Sequence, residues 1–528
     1  MRNIIKNLFY LLLAIYVIVI VFVAFGFLAN YVLWLELMGV VLALLGVLIL
    51  KNEEPQKLKM NKKLFYVLFA LALIIIFCFR ANSYYNNPIP LGYDTGIYKY
   101  VFENGLANND KWIITGVTTE PLFLYTMHFL NNFIPTQFML TWLLVILCMV
   151  LGISVYFVVS EYADKTTGLI ALFIYAVSTV QFYTFAYMYY KNIIAMAMML
   201  FAFYFLKRYE KSNRRMDLVA FIILGGLMGA VHRLTFYIFG LSYFIYAFTG
   251  PISKVKYDFV RLKVNVWAGV LILGITSMFY LGRYSESITM MFGPVLQGFV
   301  DTGKVSGTFI KFSLFQLVIL TQLPLALLGL FSFIRKKEFN VLVIWFVLNV
   351  IIVYFQFFFY NRFTILLDLI ITIMAAFGFS LIIRNKNILG LIFMIVLLLS
   401  AGFLVHKQVI KIGPQISAGA LATIEQFNKI EPNALVMSIS SQYSPWVLGY
   451  SSRRTIAPGL FDYDNSTRQQ WFNFWQANNL SVMKDFMANY QKPVYIFVGA
   501  EQRDIFKDYK ECFSIYYIST GKIYKYIC

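Results

Sequence analysis

Acidic side chains are scarce in this chain, with 25 Asp and Glu among 528 residues. Cysteine and histidine are scarcer, at four and three. None of these has metal-ligand spacing, so a zinc-finger-like module is excluded. No glycine-rich phosphate-cradling loop and no 34–50-residue repeat occurs, which removes the common nucleotide-binding and solenoid classes. The polar–apolar alternation of a membrane β-barrel is missing too. What the chain has instead is grease: it is 60% hydrophobic and 19% aromatic, with a mean hydropathy of +0.71.

Apolar runs long enough to cross roughly 30 Å of hydrocarbon recur along it. They are placed near 8–28, 32–50, 64–79, 136–159, 167–187, 192–206, 217–231, 235–249, 265–282, 312–334, 340–360, 363–383 and 387–405, about thirteen in all. The formal charge of +19 suggests nucleic acid, but its placement argues against it. Half of the 44 Lys and Arg fall in the short segments 1–7, 51–63, 160–166, 207–216, 250–264, 335–339 and 384–386. Each fits a cytoplasmic loop under the positive-inside rule. Charge and span count agree on an integral plasma-membrane protein with its N-terminus cytoplasmic. Met1–Lys6 and the run that follows lack a clear small-residue cleavage site and read as a retained first helix.

The expected fold is an all-α polytopic bundle over 1–405 with a small extracytoplasmic α/β domain over 406–528. Outer loops are expected at 80–118 and 283–311, and a short interfacial or re-entrant helix from Glu120 to Phe133. In the tail, 417–429 reads as helix, 434–438, 454–457 and 493–498 as strands, and 466–490 as one or two amphipathic helices. The segments 512–518 and 522–528 flank Thr520-Gly521 as a hairpin. Cys512 and Cys528 lie equally far from Thr520, so they would face each other across it as a disulfide. Cys78 and Cys148 lie in spans and read as core packing.

Two of the few carboxylates sit in Gly/Pro-framed turns of the first outer loop. Asp94, in Leu91-Gly92-Tyr93-Asp94-Thr95, opens a helical segment and suits both an N-cap and a proton acceptor held rigidly. Glu120, in Thr118-Thr119-Glu120-Pro121-Leu122, suits helix-dipole compensation or a second functional carboxylate. Cations on the outer face are few. Lys191, Arg233 beside His232, and Arg362 each terminate a span. Each could simply snorkel to headgroups; converging, they would bind phosphate. Tyr93 and Tyr98 flank Asp94 as sugar-side candidates. Tyr443, Trp446 and Arg454 could line a groove in the tail domain, or a structural loop.

These residues resemble the GT-C superfamily of membrane glycosyltransferases, which includes protein O-mannosyltransferases, aminoarabinose lipid A transferases and oligosaccharyltransferase catalytic subunits. Gly92-Tyr93-Asp94 is similar to the acidic segment of that family's first outer loop. Glu120-Pro121-Leu122 is similar to its His-Pro-Pro-Leu turn, with Glu for His. Asn361-Arg362-Phe363 resembles its Arg-Tyr pair at the start of a late span. Ala230–Thr235 resembles a His-containing segment of bacterial and archaeal members, and the segment with Ser444-Pro445-Trp446 and Pro458-Gly459 resembles relatives of unassigned acceptor. Asp94-Thr95 stands where the mannosyltransferases have Asp-Glu, and the oligosaccharyltransferase Trp-Trp-Asp-Tyr-Gly motif is absent.

The resemblance implies transfer of a sugar from a polyprenyl-phosphate donor to a glycan, lipid or protein acceptor, with inversion. Asp94 would be the base, and Arg362 with His232, Arg233 or Lys191 would stabilise the leaving phosphate. A lone Asp needs no metal, whereas Asp94 and Glu120 together would hold Mg²⁺ or Mn²⁺. No nucleic-acid partner is expected. The rival classes are a lipid-linked glycan transporter or flippase, for which Asp368 within a span would be a pathway residue, and a non-enzymatic envelope-assembly protein.

Overall fold

A computed structural model describes residues 2–24, 31–50, 60–85, 87–105, 120–249, 259–289, 310–335, 339–357, 360–384, 388–439, 442–456 and 466–528. In chain order the helices are α1 (Arg2–Ala24), α2 (Val32–Leu50), α3 (Lys62–Tyr85), α4 (Thr95–Asn104) and α5 (Pro121–Leu130). There follow α6 (Thr136–Tyr162), α7 (Lys165–Ala176), α8 (Thr179–Ala186), α9 (Tyr190–Ser212), α10 (Arg215–Met228), α11 (Arg233–Thr249) and α12 (Phe259–Met278). Then come α13 (Phe312–Ile319), α14 (Leu323–Arg335), α15 (Val341–Tyr354), α16 (Tyr360–Arg384) and α17 (Ile388–Lys411). The C-terminal region adds α18 (Ala418–Ile424), α19 (Ser444–Tyr450), α20 (Arg468–Trp475) and α21 (Leu480–Met487), with strands β1 (Leu435–Ser438), β2 (Arg454–Ile456), β3 (Val494–Val498), β4 (Phe513–Ile518) and β5 (Lys522–Tyr526).

The chain forms two compact units. One holds Met1–Tyr85, Thr119–Phe123 and Leu144–Ile412, the other Asn86–Thr118, Leu124–Leu143 and Gly413–Cys528. The first is a polytopic helical bundle. Among the described residues eight helices are long and apolar enough to cross a membrane, or up to ten if each bent pair is one span. The thirteen expected runs differ from this for a physical reason. The runs at 217–231, 235–249 and 340–360 form the shorter helices α10, α11 and α15. The runs at 167–187 and 312–334 are broken, with α7 and α8 meeting at 56° and α13 and α14 at 73°. The first outer loop also starts later than expected, because α3 continues through Arg80 to Tyr85.

Helix α16 is the bundle's centre, with 94% of its apolar window enclosed. It meets α14 backbone to backbone. A methyl on Gly378 would overlap the Leu325 carbonyl, and one on Gly329 the Met374 carbonyl. Such small-residue crossings let helices approach closely where no hydrophobic effect separates protein from lipid.

The second unit is built on a five-stranded mixed sheet, ordered β2-β1-β3-β5-β4. Strands β2, β1 and β3 are parallel, while β5 runs antiparallel to both β3 and β4. The period-2 side-chain alternation splits its core. Met437, Val494 and Ile496 pack beneath Trp471 and Phe474 of α20 and Phe486 of α21. Val436, Tyr495, Phe497 and Ile523 pack beneath Ile424 of α18 and Trp446 of α19, and Ile89 of the first outer loop joins that core. The segment before Asp94 is thus an integral part of the sheet unit. Cys512 and Cys528 form a disulfide across the β4–β5 hairpin, with Cα atoms 4.8 Å apart.

Candidate functional site

Asp94 stands at the N-cap position of α4, yet its carboxylate makes no capping hydrogen bond to the helix. Gly92, at φ +81°, supplies the left-handed turn just before it, a conformation open chiefly to glycine. Thr95 is buried and accounts for local rigidity, its hydroxyl donating to the carbonyls of Leu91 and Gly92.

The position of α4 is fixed by contact with α19. A methyl on Gly96 would overlap the Pro445 carbonyl, and a methyl on Gly449 would collide with Gly96. One turn on, the Lys99 ammonium lies 5.0 Å from the Tyr450 ring centroid. At the helix end the His128 ring meets the Phe102 carbonyl at 2.9 Å. The sequence reading had no use for Gly96 or Gly449. The signal for them was a glycine near the start of one short helix and one near the end of another, which only a knowledge of their contact makes legible.

Tyr98 is buried and stacks on Phe102 with centroids 5.9 Å apart, while Tyr93 is half-buried. Tyr443 is buried, set edge-on to Phe497 and hydrogen-bonded to the Glu501 carboxylate. Trp446 is fully enclosed and stacks on Tyr450. Their rings build the core that seats α4. Arg454 is exposed on the edge strand β2. Thr118-Thr119, Pro458-Gly459 and most of the loop 283–311 lie outside the described residues.

In the membrane unit, residues from four distant parts of the chain converge. Glu120 is buried and forms an ion pair with Lys191, at the start of α9. The Leu122 amide donates to the Ala230 carbonyl at 3.0 Å, tying the Glu120 segment to the α10–α11 link. That link carries His232 and Arg233. His232 is 2% exposed, and its Nδ1 accepts from the Thr235 amide at 3.3 Å, so the imidazole caps α11. Thr235 Oγ1 also lies 2.9 Å from Nδ1. With Nδ1 accepting, a neutral ring carries its proton on Nε2.

Burial first, then the charges of Lys191, Arg362 and Arg233, hold the His232 pKa well below its usual value. The imidazole is therefore a neutral donor among cations. Arg362 enters from the first turn of α16. Tyr280 lies in the fields of Glu120 and Arg233 and donates to the Gly229 carbonyl at 2.9 Å. The sequence reading grouped the cations and His232 but missed Tyr280, whose place depends on the α12 crossing.

The Glu120 carboxylate is engaged by a lysine, not held open for a cation. Among the described residues no three His, Cys, Asp or Glu side chains gather as a metal-ligand set. The residues around Glu120 do not fit Mg²⁺ or Mn²⁺. What they fit is an anion: a lysine, two arginines and an imidazole N–H form a set of phosphate donors.

Asp368, singled out in the sequence, is buried on α16 and hydrogen-bonded by Ser178 Oγ at 2.7 Å and Gln181 Nε2 at 2.9 Å.

No family model matches this chain, and no curated protein matches it in sequence. Solved structures do match in fold. The oligosaccharyltransferase AglB from Archaeoglobus fulgidus, in complex with an inhibitory peptide and a dolichol-phosphate, aligns with a TM-score of 0.59 at 13% identity, over 83% of this chain and 70% of that one. A structure of the A. fulgidus enzyme with zinc and sulfate aligns at 0.53 and 15%, over 87% and 73%. ArnT from Cupriavidus metallidurans bound to undecaprenyl phosphate aligns at 0.59 and 12%, over 89% of this chain and 99% of that one. At such identities the similarity is one of architecture: this chain shares the fold of these two membrane enzymes.

Proposed function

We propose that this protein is a glycosyltransferase that moves a sugar from a polyprenyl-phosphate donor to an acceptor on the extracytoplasmic side of the plasma membrane. The observation that carries the reading is the convergence of Lys191, His232, Arg233 and Arg362 around one point of the membrane unit. The neighbours solved in complex with dolichol-phosphate and undecaprenyl phosphate support a lipid phosphate as the anion.

Asp94 accepts the proton of an acceptor hydroxyl. The acceptor oxygen forms a bond to the anomeric carbon as the bond from that carbon to the phosphate oxygen breaks, inverting the centre in one displacement. The electron pair leaves with the lipid phosphate, whose added negative charge is stabilised by the cations and the His232 Nε2–H. Glu120 orients Lys191 and tempers the positive charge of the cluster.

Two observations favour a second reading, a lipid-linked glycan transporter: the two bent helix pairs and the buried Asp368. One experiment separates them. Purified protein in lipid nanodiscs is given a panel of polyprenyl-phosphate and polyprenyl-diphosphate sugars with candidate acceptors, with and without chelator. The transferase reading predicts release of free lipid phosphate, unaffected by chelator. A donor that crosses a proteoliposome membrane uncleaved supports the transporter.

A further inference from the structure

The bend between α7 and α8 leaves α8 in need of an anchor of its own. Helix α7 is fastened to α16 at its start. Asp164 caps it through the Thr167 amide at 2.9 Å and forms an ion pair with Arg384, while the Thr167 hydroxyl donates to Ser380 at 3.0 Å. That fastening does not carry into α8. The two helices meet at 56°, and Ser178 starts a new backbone ladder as the N-cap of α8.

The anchor is Gln181, on the first turn of α8 and 1% exposed. Its Nε2 donates to two acceptors of α16, the Ile365 carbonyl at 3.0 Å and the Asp368 carboxylate at 2.9 Å. Its Oε1 is buried and makes no hydrogen bond among the described residues, so the side-chain amide bonds to α16 alone. Ser178 closes the arrangement. Its hydroxyl donates to Asp368 at 2.7 Å and accepts from the Gln181 backbone amide at 3.2 Å. Hydrogen bonds this deeply enclosed are rigid, because a partner lost there is not replaced by water.

Both sides of this clip lead to proposed phosphate donors. On α16, Ile365 and Asp368 follow Arg362 within two helical turns. On the other side, α8 ends in a Schellman motif. The Tyr189 amide donates to the Thr184 carbonyl at 3.0 Å and the Met188 amide to the Phe185 carbonyl at 2.9 Å, with Met188 left-handed at φ +58°. The Tyr190 amide then donates to the Met188 carbonyl at 2.7 Å, and Lys191 follows in the first turn of α9. The connection from α8 to Lys191 is thus a hydrogen-bonded turn, and a displacement of α8 passes to Lys191.

We propose that Gln181, seated by Asp368 and Ser178, is a positioning residue for phosphate binding: it locks α8 to the first turns of α16 and so fixes Lys191 relative to Arg362. It acts through these two cations and is not itself one of the phosphate donors. The part played by the cations rests on the function proposed above, whereas the locking of α8 does not.

The test uses the full-length protein in lipid nanodiscs. Gln181→Met keeps the side chain's length and removes both donated bonds. Gln181→Asn, too short to reach both acceptors, serves should the first variant fail to fold. The first readout is amide hydrogen exchange, followed by mass spectrometry, which needs no ligand. Locking predicts exchange at least about tenfold faster than wild type in peptides covering 179–195, with peptides of the β-sheet unchanged. Unchanged exchange over 179–195, or equal acceleration everywhere, would overturn the locking.

The second readout is binding of undecaprenyl phosphate by wild type, the Gln181 variant, Lys191→Met and the double variant. Action through Lys191 predicts about tenfold weaker binding from the Gln181 change alone, and less than about threefold further loss in the Lys191→Met background. Equal losses in the two backgrounds are what a merely structural role gives, and would overturn the positioning of Lys191. Failure of the wild type to bind undecaprenyl phosphate would count against the proposed function, and hydrogen exchange would still decide the locking of α8.

Discussion

At the scale of single residues, the division of labour between Glu120 and Lys191 has a measurable consequence. In the proposed mechanism Lys191 binds the phosphate and Glu120 is its partner, so Lys191→Met should weaken undecaprenyl phosphate binding by about tenfold, or about 1.4 kcal/mol. Glu120→Gln should leave that affinity unchanged or strengthen it, because the ammonium keeps its full charge for phosphate. Equilibrium binding in detergent or nanodiscs measures both. His232 gives a prediction in pH. Its folded pKa is depressed below 6.5, so the unfolded chain binds the proton more readily. The stability it contributes is complete above pH 6.5 and falls as pH drops below that value, by up to about 1.4 kcal/mol per unit. Unfolding midpoints measured from pH 7.5 to 5 should fall more steeply for wild type than for His232→Gln. The individual site residues were legible because charge is so rare in this chain that each outer cation stood out. Their connections were not: the Glu120–Lys191 pair joins residues 71 apart in sequence, and nothing local encodes it.

At the scale of elements, the contact between α4 and α19 decides where the candidate base sits. Gly96→Ala must push the two helices apart, because the obstruction is backbone and cannot rotate away. Overpacking of this kind costs about 1–3 kcal/mol. The expected result is a kcat lowered tenfold or more with the KM for donor little changed, and the same pattern for Gly449→Ala. An equal loss through KM would place α4 in donor binding instead. The segment containing Tyr443 and Trp446 therefore contributes by seating the Asp94 helix, with buried rings as its means. The tail strands and the hairpin were readable from period-2 patterning and a Thr-Gly turn. The bends at α7–α8 and α13–α14 were not, since Ser178 and Gln322 sit inside runs whose overall hydropathy hides them. Ser178 meets Asp368, and Gln322 accepts from Thr372 at 3.2 Å, so α16 serves both breaks from positions one turn apart. That pattern becomes visible only once the helices are packed.

At the scale of the whole molecule, composition made the bundle and the sheet unit legible, while chain partition did not follow sequence order. Residues 86–118 and 124–143 belong with the C-terminal sheet, because Ile89 and α4 bury their apolar faces there. The disulfide closes the edge hairpin of that unit over a separation of 16 residues. A loop of that size stabilises by about 3 kcal/mol in the chain-entropy account. Cys512→Ser with Cys528→Ser should lower the unfolding midpoint of the full-length protein, and reductant should do the same to wild type but leave the double variant unmoved. The central claim is that the protein cleaves a lipid-linked sugar donor with Asp94 as the base. The most direct measurement is lipid phosphate release from a turned-over polyprenyl-phosphate sugar, in the presence of acceptor, by wild type and by Asp94→Asn at matched folding and matched undecaprenyl phosphate affinity. The account predicts release by wild type and a loss of at least a thousandfold in the variant; equal release by the two proteins would contradict it.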